Sequence, residues 1–488
     1  MFELFAVRVS ACGGDGRFWS SPVPSSESRV SRVLQAKPEN PPTQPAPSIP
    51  QKSNTSYALA YLPYLPRYST PVLLVSSVSS TIQHPLYFEA IFQLFNRSII
   101  PTTMTDGDIV VIEYAALLEE PGESDAANNE LQEKLIAAFG TDKSLGIVAI
   151  RGVPRFLDAR TTFLPMAHRL AHLPHDYLEN ELGDPKTLYN AGWSHGKEKL
   201  GDKPDTAKGS FYFNPLADQP GSPELRDQFP LSYPCNVWPD DEKMPGFEAK
   251  AKDLGSIMHK AVVRLSLHID ALAKKRLGAS YTDNMLYKQM QATDKAKGRL
   301  LYYFPIESSD TSTSGGEAST PEDSWIGWHN DSGFLTALAG DMYVDDETGK
   351  PIDKSLIDPA AGLYAVDRSG KTVRANIPED CMAVQIGECT QIITGGAVIA
   401  TPHCVRGGGL KEDGGNGTRV ARISLPCFID TGPTFPLCLP TGCSREKAIG
   451  SGVGSAKVPP LQDRWEDGMT FGDFLQKTFA TYYDWSKK

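Results

Sequence analysis

Cysteine is sparse in this chain. Eight occur in 488 residues, scattered as Cys12, Cys235, Cys381, Cys389, Cys404, Cys427, Cys438 and Cys443, with no Cys-x-x-Cys pair. That argues against a structural zinc or a thioredoxin-type site and for reduced, buried thiols in a cytosolic protein. No apolar run reaches the roughly 18 residues of a membrane-spanning helix, so none is expected. A cationic excess is also missing. Lys+Arg number 48 against 59 Asp+Glu, a net charge of −11, which does not favour polyanions, and nucleic acid is not expected as a partner. Histidine is scarce too, with nine in all and only His403 beyond position 331. What is plentiful is hydrophobic residues, 40% of the chain, enough for a large globular core.

The most informative stretch is Trp328-His329-Asn330-Asp331, inside Gly327-Trp-His-Asn-Asp-Ser-Gly-Phe-Leu-Thr-Ala-Leu338. A strand alternates faces with period two, so His329 and Asp331 share one. An imidazole and a carboxylate on one face are two of the three ligands of a non-haem Fe(II) facial triad. His-x-Asp by itself is common and is usually an ordinary surface or core pair. A third ligand from the C-terminal part, if it is a histidine, must be His403, in Ala400-Thr-Pro-His-Cys-Val-Arg406. Beyond it lies Arg419-Val-Ala-Arg-Ile-Ser-Leu-Pro426, in which Arg422 and Ser424 again share a strand face. A guanidinium fork beside a hydroxyl suits a carboxylate.

In these residues the chain resembles the iron- and 2-oxoglutarate-dependent oxygenases, in their isopenicillin N synthase-like branch. That pattern is His-x-Asp, a distal His, then Arg-x-Ser, here His329-Asn-Asp331, His403 and Arg422-Ile-Ser424. Ala383-Val-Gln-Ile-Gly-Glu388 looks like the family's apolar run ending in Gly-Asp, and Thr394-Gly-Gly396 like its Thr-Asn-Gly turn. The likeness spans roughly residues 106 to 488. It implies an α+β fold, with a double-stranded β-helix (jelly-roll) core, an N-terminal α/β module and supporting helices. It implies Fe(II) on His329, Asp331 and His403, with 2-oxoglutarate anchored by Arg422 and Ser424 and O2 as co-reactant. The substrate would be a small organic molecule.

Taken in order, residues 1–104 differ from the rest. Ser20 to Ser31 is serine-rich and Pro38 to Pro50 proline-rich, compositions that build no core. The segment reads as a low-complexity or targeting extension, or as no part of the native protein if translation begins at Met104. Residues 1–37 leave organelle targeting open beside the expected cytoplasmic location. Residues 106–240 form the N-terminal module. Ile109-Val-Val-Ile112 reads as a strand, Ala126 to Gly140 as a helix and Ser144 to Pro154 as a second strand. The last resembles a family segment in which Arg151 stands for a histidine that is not an iron ligand.

His168, His172 and His175 are expected in one helix, where the first two could share a face. Gly192 to Glu198 and Lys208 to Pro215 correspond to a region that borders the active-site mouth in the family. Ordinary loop packing explains them equally well, and contacts to substrate from Phe211 or Tyr212 are a guess. Phe247 to Leu277, within a 241–290 segment, reads as a long supporting helix whose apolar stripe includes Leu254, Met258, Leu265 and Leu272.

The core is expected over 295–432, opening with Arg299-Leu-Leu-Tyr-Tyr-Phe-Pro305. Where the family often has a tyrosine before this proline to bond the 2-oxoglutarate carboxylate, this chain has Phe304, after Tyr302 and Tyr303. Ser308 to Glu322 and the acidic stretch Asp341 to Pro359 read as loops, and glycine-rich Gly407 to Gly417 as a hairpin connection. A tail, 433–488, carries Trp465, Phe471, Phe474, Leu475 and Phe479 to pack on the core.

Two other readings stay open. One is an iron oxidase that uses O2 without 2-oxoglutarate, its Arg-x-Ser pair holding the substrate's carboxylate. The other is a catalytically silent jelly-roll that binds a small acid or a protein.

Overall fold

Strand alternation gives the large sheet two packed faces, one against helices and one against a smaller sheet. In the computed structural model, residues 109–485 are described apart from 123–125, 141–143, 198, 201–202, 307–324, 412–417 and 450–456. The extension over 1–104 and the insertion Ser308 to Glu322 lie outside the described residues, as does most of the glycine-rich stretch before Arg419. The chain divides into two units, one of them Val7–Ile100, and everything described belongs to the other.

β1 (Val110–Glu113), α1 (Ala126–Phe139) and β2 (Ile147–Arg151) come first, followed by α2 (Phe156–Phe163), α3 (Met166–Ala171) and α4 (His175–Asn180). The three histidines expected in one helix are therefore divided. Pro174, whose ring fixes φ and which has no N–H, precedes α4, and His172 caps α3. Next come β3 (Gly192–His195), β4 (Lys208–Phe213) and the 31-residue α5 (Phe247–Leu277). Left-handed Gly246 precedes α5 and Gly278 closes it. Glu248 lies in the first turn and Lys274, Lys275 and Arg276 in the last, the charge order that suits the helix dipole.

The remaining strands are β5 (Ala296–Tyr303), β6 (Ile326–His329), β7 (Leu335–Asp345), β8 (Gly362–Val366), β9 (Thr372–Arg374) and β10 (Cys381–Ile386). After the short α6 (Glu388–Ile393) come β11 (His403–Arg406), β12 (Val420–Ile429) and the terminal α7 (Phe471–Trp485). The large sheet has the order β1-β2-β10-β7-β12-β5-β4-β3, and a four-stranded sheet the order β9-β8-β11-β6. β1 and β2 extend one edge of the large sheet and β3 and β4 the other. Together the two sheets form the jelly-roll, within an α+β fold.

Each central strand contributes to two cores. Val148 and Ile150, Leu300 and Tyr302, Met382 and Val384, and Ala421 and Ile423 pack on the helix side against α5, where Leu254, Met258, Leu265 and Leu272 are all fully buried. Their neighbours Ile147 and Ala149, Leu301 and Tyr303, Ala383 and Val420 face the small sheet, where Leu363 and Val405 meet them. This parity directs Arg422 and Ser424 between the sheets. Burial at roughly 25 cal/mol per Å² of apolar surface drives both cores. The stretch expected as a loop from Asp341 begins differently. Asp341 to Asp345 is the second half of β7, paired with β12 from Val420 to Ser424.

Candidate active site

His329 ends β6 and His403 begins β11, and the two are register partners in the small sheet. Their ring centroids lie 4.3 Å apart. Asp331, two residues past His329, brings Oδ1 to 3.8 Å from His403 Nε2. The three donor atoms all lie within 4.8 Å of one another, the one such cluster among the described residues. Each imidazole is oriented by its own backbone. His329 Nδ1–H donates to Gly327 O at 2.9 Å, and His403 Nδ1–H to Thr401 O at 3.0 Å. A carbonyl only accepts, so Nδ1 carries the proton in both rings and each Nε2 keeps its lone pair for a metal.

The electrostatics suit a cation. Burial, then the neighbouring His403, pushes the His329 pKa well below its ordinary value, so that ring is neutral. Burial raises the Asp331 carboxyl, with His403 and a hydrogen bond from Thr336 working the other way. Asp331 Oδ2 is buried without a hydrogen-bond partner. Two lone pairs and an orphaned carboxylate oxygen converging on one point fit a divalent ion with mixed nitrogen and oxygen preference.

Two cavities meet at this cluster, and His329, Asp331, Arg299, Ile326 and Phe428 line both. The smaller, about 80 Å³, is closed by Leu301, Leu338, Leu363 and Val405 and contains Arg422, Ser424 and Tyr303. Arg422 Nε and Nη1 are buried with no hydrogen-bond partner, donors that fit an acid group. The Arg422 guanidinium lies over the Tyr303 ring, 4.7 Å from its centroid. The tyrosine of this pocket is thus Tyr303, not the residue before Pro305. Phe304 lies on the other face, against Tyr302 and His195.

Arg422 also has an internal partner that the sequence reading missed. Its Nη2 donates to Asp341 Oδ1. The pairing depends on a bulge in β7. Ser424 pairs with Asp341 and Pro426 with Leu338, so β7 carries one residue more than β12 over this interval. Gly340 takes a φ of 82°, and Arg160 of α2 holds the irregular segment by donating Nε to Ala339 O at 2.6 Å and Nη2 to Asp341 O at 2.5 Å. Burial disfavours both charges. Even so, Arg422 draws the Asp341 pKa down, and Asp341 with Tyr303 and Tyr343 holds the guanidinium above its ordinary value.

The second missed feature lies behind the metal ligands. Asn330 Nδ2 donates to Glu388 Oε1 at 2.9 Å, and Glu388 accepts two bonds from Arg464, one of them 2.7 Å. Both charged side chains are almost wholly buried, 0% and 1% exposed. The tail thereby reaches the His-x-Asp segment. Its aromatic residues behave as expected, with Trp465, Phe471 and Phe474 fully buried and Leu475 and Phe479 on the cavity wall.

The larger cavity, about 400 Å³, is bounded by Phe229 to Ser232, by β5 and by α7. Phe211 and Tyr212 do not line it. Phe211 packs into the helix-side core against Phe213 and Phe247, and Lys208 is the β4 residue that faces the cavity. His168 and His172 are held by backbone carbonyls. His168 Nε2–H donates to Asp346 O at 2.9 Å, His172 bonds the His168 carbonyl, and the pair fixes α3 to β7.

No family model matches the chain. A curated 2-oxoglutarate-dependent dioxygenase from Gibberella zeae is 24% identical over 332 residues, 66% of this chain and 74% of that protein. A full-length Neurospora crassa protein, solved in complex with alpha-KG, superposes with a TM-score of 0.52 at 20% identity, covering 78% of this chain and 98% of that one. A 2OG-Fe(II) oxygenase family protein from Caulobacter crescentus gives 0.51 at 18% identity, over 77% and 100%. The chain has the double-stranded β-helix fold of the Fe(II)- and 2-oxoglutarate-dependent oxygenases. The resemblance read from His329-x-Asp331, His403 and Arg422-x-Ser424 is to the same class of proteins that these comparisons return.

Proposed function

We infer that this protein is a non-haem Fe(II)- and 2-oxoglutarate-dependent oxygenase that inserts oxygen into, or removes hydrogen from, a small organic molecule and releases succinate and CO2. The observation carrying this reading is the convergence of His329, Asp331 and His403 beside a second cavity that contains Arg422. His329 Nε2, His403 Nε2 and an Asp331 oxygen would hold the iron. Arg422 Nε and Nη1, with Ser424 and Tyr303, would hold the far carboxylate of 2-oxoglutarate. Bound ferrous iron supplies activation of O2 coupled to oxidative decarboxylation of the oxo acid.

The chain's own residues do the rest. Gly327 and Thr401 carbonyls fix the imidazole tautomers. Thr336 orients the Asp331 carboxylate. Leu301, Leu338, Leu363 and Val405 keep water from the anchor, which strengthens every charge interaction inside it. We assign the chain to the isopenicillin N synthase-like branch on the order of its motifs, with 295–432 as the oxygenase core. The preceding segments 106–240 and 241–290 and the tail 433–488 pack around that core. We propose a cytoplasmic location, in keeping with seven described cysteines that are all free. No helix among the described residues is long and apolar enough to cross a membrane.

The test is anaerobic titration of Fe(II) and then 2-oxoglutarate, followed by O2 consumption with succinate as the measured product. A second reading, an iron oxidase that needs no 2-oxoglutarate, is favoured by one observation, that Asp341 already pairs with Arg422. Oxygen consumption without succinate would select it.

A further inference from the structure

The five residues after His329 are held one by one, and Gly387 with the first three residues of α6 does the holding. Glu388 N–H donates to Asp331 O at 2.8 Å, Cys389 N–H to Gly333 O at 3.0 Å and Gly387 N–H to Phe334 O at 2.8 Å. Thr390 Oγ1–H donates to the same Phe334 carbonyl at 2.7 Å, and Cys389 Sγ–H to Ser332 O at 3.1 Å. A side chain at Gly387 would run into Gly333 O, so the two backbones cross where glycine alone leaves room. Asn330, the one residue between the two ligands, is held by its side chain, whose Nδ2–H donates to Glu388 Oε1 at 2.9 Å.

Much of that grip is main chain and depends on no particular side chain. Glu388 is the exception. Its carboxylate accepts two bonds from Arg464 and one from Asn330, in an interior where both charged side chains are almost wholly out of solvent. Burying two charges costs desolvation that their attraction does not always recover, and packed apolar side chains in their place are often neutral or stabilising. Folding alone does not call for an ion pair here. What the pair adds is orientation. A two-bond fork fixes where Oε1 lies, and Oε1 is the acceptor for the side chain between His329 and Asp331. Arg464 is itself fixed, donating Nη2 to Pro459 O at 3.1 Å and Nη1 to Thr478 Oγ1 at 3.2 Å. The far end of the segment is built alike. Phe334 N–H donates to Asp430 Oδ1 at 2.9 Å, and Lys295 Nζ lies 3.2 Å from Asp430 Oδ2.

We propose that Glu388 is a positioning residue for the metal centre: seated on Arg464, it holds Asn330 and through it the turn that presents His329 and Asp331 to one ion. This rests on the oxygenase reading for the identity of the site and adds to it a side chain outside the ligand cluster that sets how tightly the ion is held. Glu388 acts at one remove. The ligand atoms belong to His329, Asp331 and His403, and Glu388 fixes the spacing of the first two.

The experiment titrates the full chain with Mn(II), read by the loss of the free-ion paramagnetic resonance signal, and follows thermal unfolding of the metal-free protein alongside. Asn330→Ala cuts the connection and leaves the ion pair in place. Glu388→Met with Arg464→Met removes the pair and keeps its volume filled. Each weakens Mn(II) binding by about tenfold, the scale for losing a contact behind a ligand. Combining all three substitutions costs no more than about twofold beyond the worse of the two, because both break one connection. Co(II) bound to either variant shows shifted visible absorption bands, a change of ligand geometry that a purely structural role would not produce. Mn(II) affinity within about twofold of the unaltered chain in Asn330→Ala, effects that multiply when combined, or unchanged Co(II) bands overturn the proposal. Asn330→Ala decides by itself where the paired variant does not fold. Failure of the unaltered chain to bind Mn(II) would instead sink the oxygenase reading, and the proposal with it.

Discussion

The two cavities flanking His329, Asp331 and His403 are built from different materials. The smaller is made of strands. Its walls come from β5, β7, β8, β11 and β12, and its main charges, Arg422 and Asp341, already answer each other. The larger is about five times the volume, and much of its wall comes from connections and the tail, from Gln228 to Ser232 and from Gly472 to Phe479. Strand-built walls are fixed by register, whereas loops change sequence and length at little cost to the fold. A shared cosubstrate belongs in the first kind of pocket and an individual substrate in the second. In the proposed oxygenase, that division puts the cosubstrate where strand register fixes the walls and the oxidised molecule where connections shape them.

The severest way to break the comparison is to remove the junction. Asp331→Ala should abolish Fe(II) or Mn(II) binding, seen by titration, and with it turnover, leaving both cavities without a reacting centre. Arg422→Ala should separate them. The dissociation constant for 2-oxoglutarate rises by about 10- to 150-fold, in line with a charge-assisted hydrogen bond of roughly 1.5–3 kcal/mol. Metal binding should be unchanged. Asp341→Asn sharpens the contrast from within the small pocket. Freed of its internal partner, Arg422 should bind 2-oxoglutarate a few-fold more tightly, measured by calorimetry. A loss of affinity would show that Asp341 aims the guanidinium instead of competing for it.

The smallest effect belongs to pH. Burial, then Lys295 and Arg299, lowers the Lys297 pKa to about 7, against the pull of Asp430. Its charge is present below that pH and lost above it. The same depression bears on stability. Between about pH 7 and the ordinary lysine value the unfolded chain holds more protons, so this group's penalty on folding is largest below pH 7 and fades as pH rises.

Most of the fold was legible because its elements obey simple periods. Phe247–Leu277 repeats at helical spacing and the core strands at period two, and the only histidine beyond Asp331 lies opposite His329 in the small sheet. The basic row on the larger cavity's wall is equally open to reading, since Lys295, Lys297 and Arg299 occupy alternate positions. A strand taken to open at Arg299 passes over the two lysines ahead of it. Asp341 was not legible. A bulge inverts face parity, and nothing local marks it except Gly340. Counting back from Pro305 misassigns the tyrosine for a related reason, since the face of Tyr303 is decided by pairing with Arg422 and not by distance from the proline. Arg464 and Glu388 are 76 residues apart, and only tertiary packing brings them together.

That last pair ties the end of the chain to the fitness of its centre. A polypeptide clipped ahead of Arg464 would still possess every ligand and both cavities' strands. It would nevertheless leave Glu388 ionised in a dry interior, a situation that typically costs about 3–5 kcal/mol, with Asn330 next to the His-x-Asp turn as its nearest recourse. A chain cut before Arg464 should therefore hold Fe(II) or Mn(II) less tightly than the whole one, a loss that metal titration of the two would show.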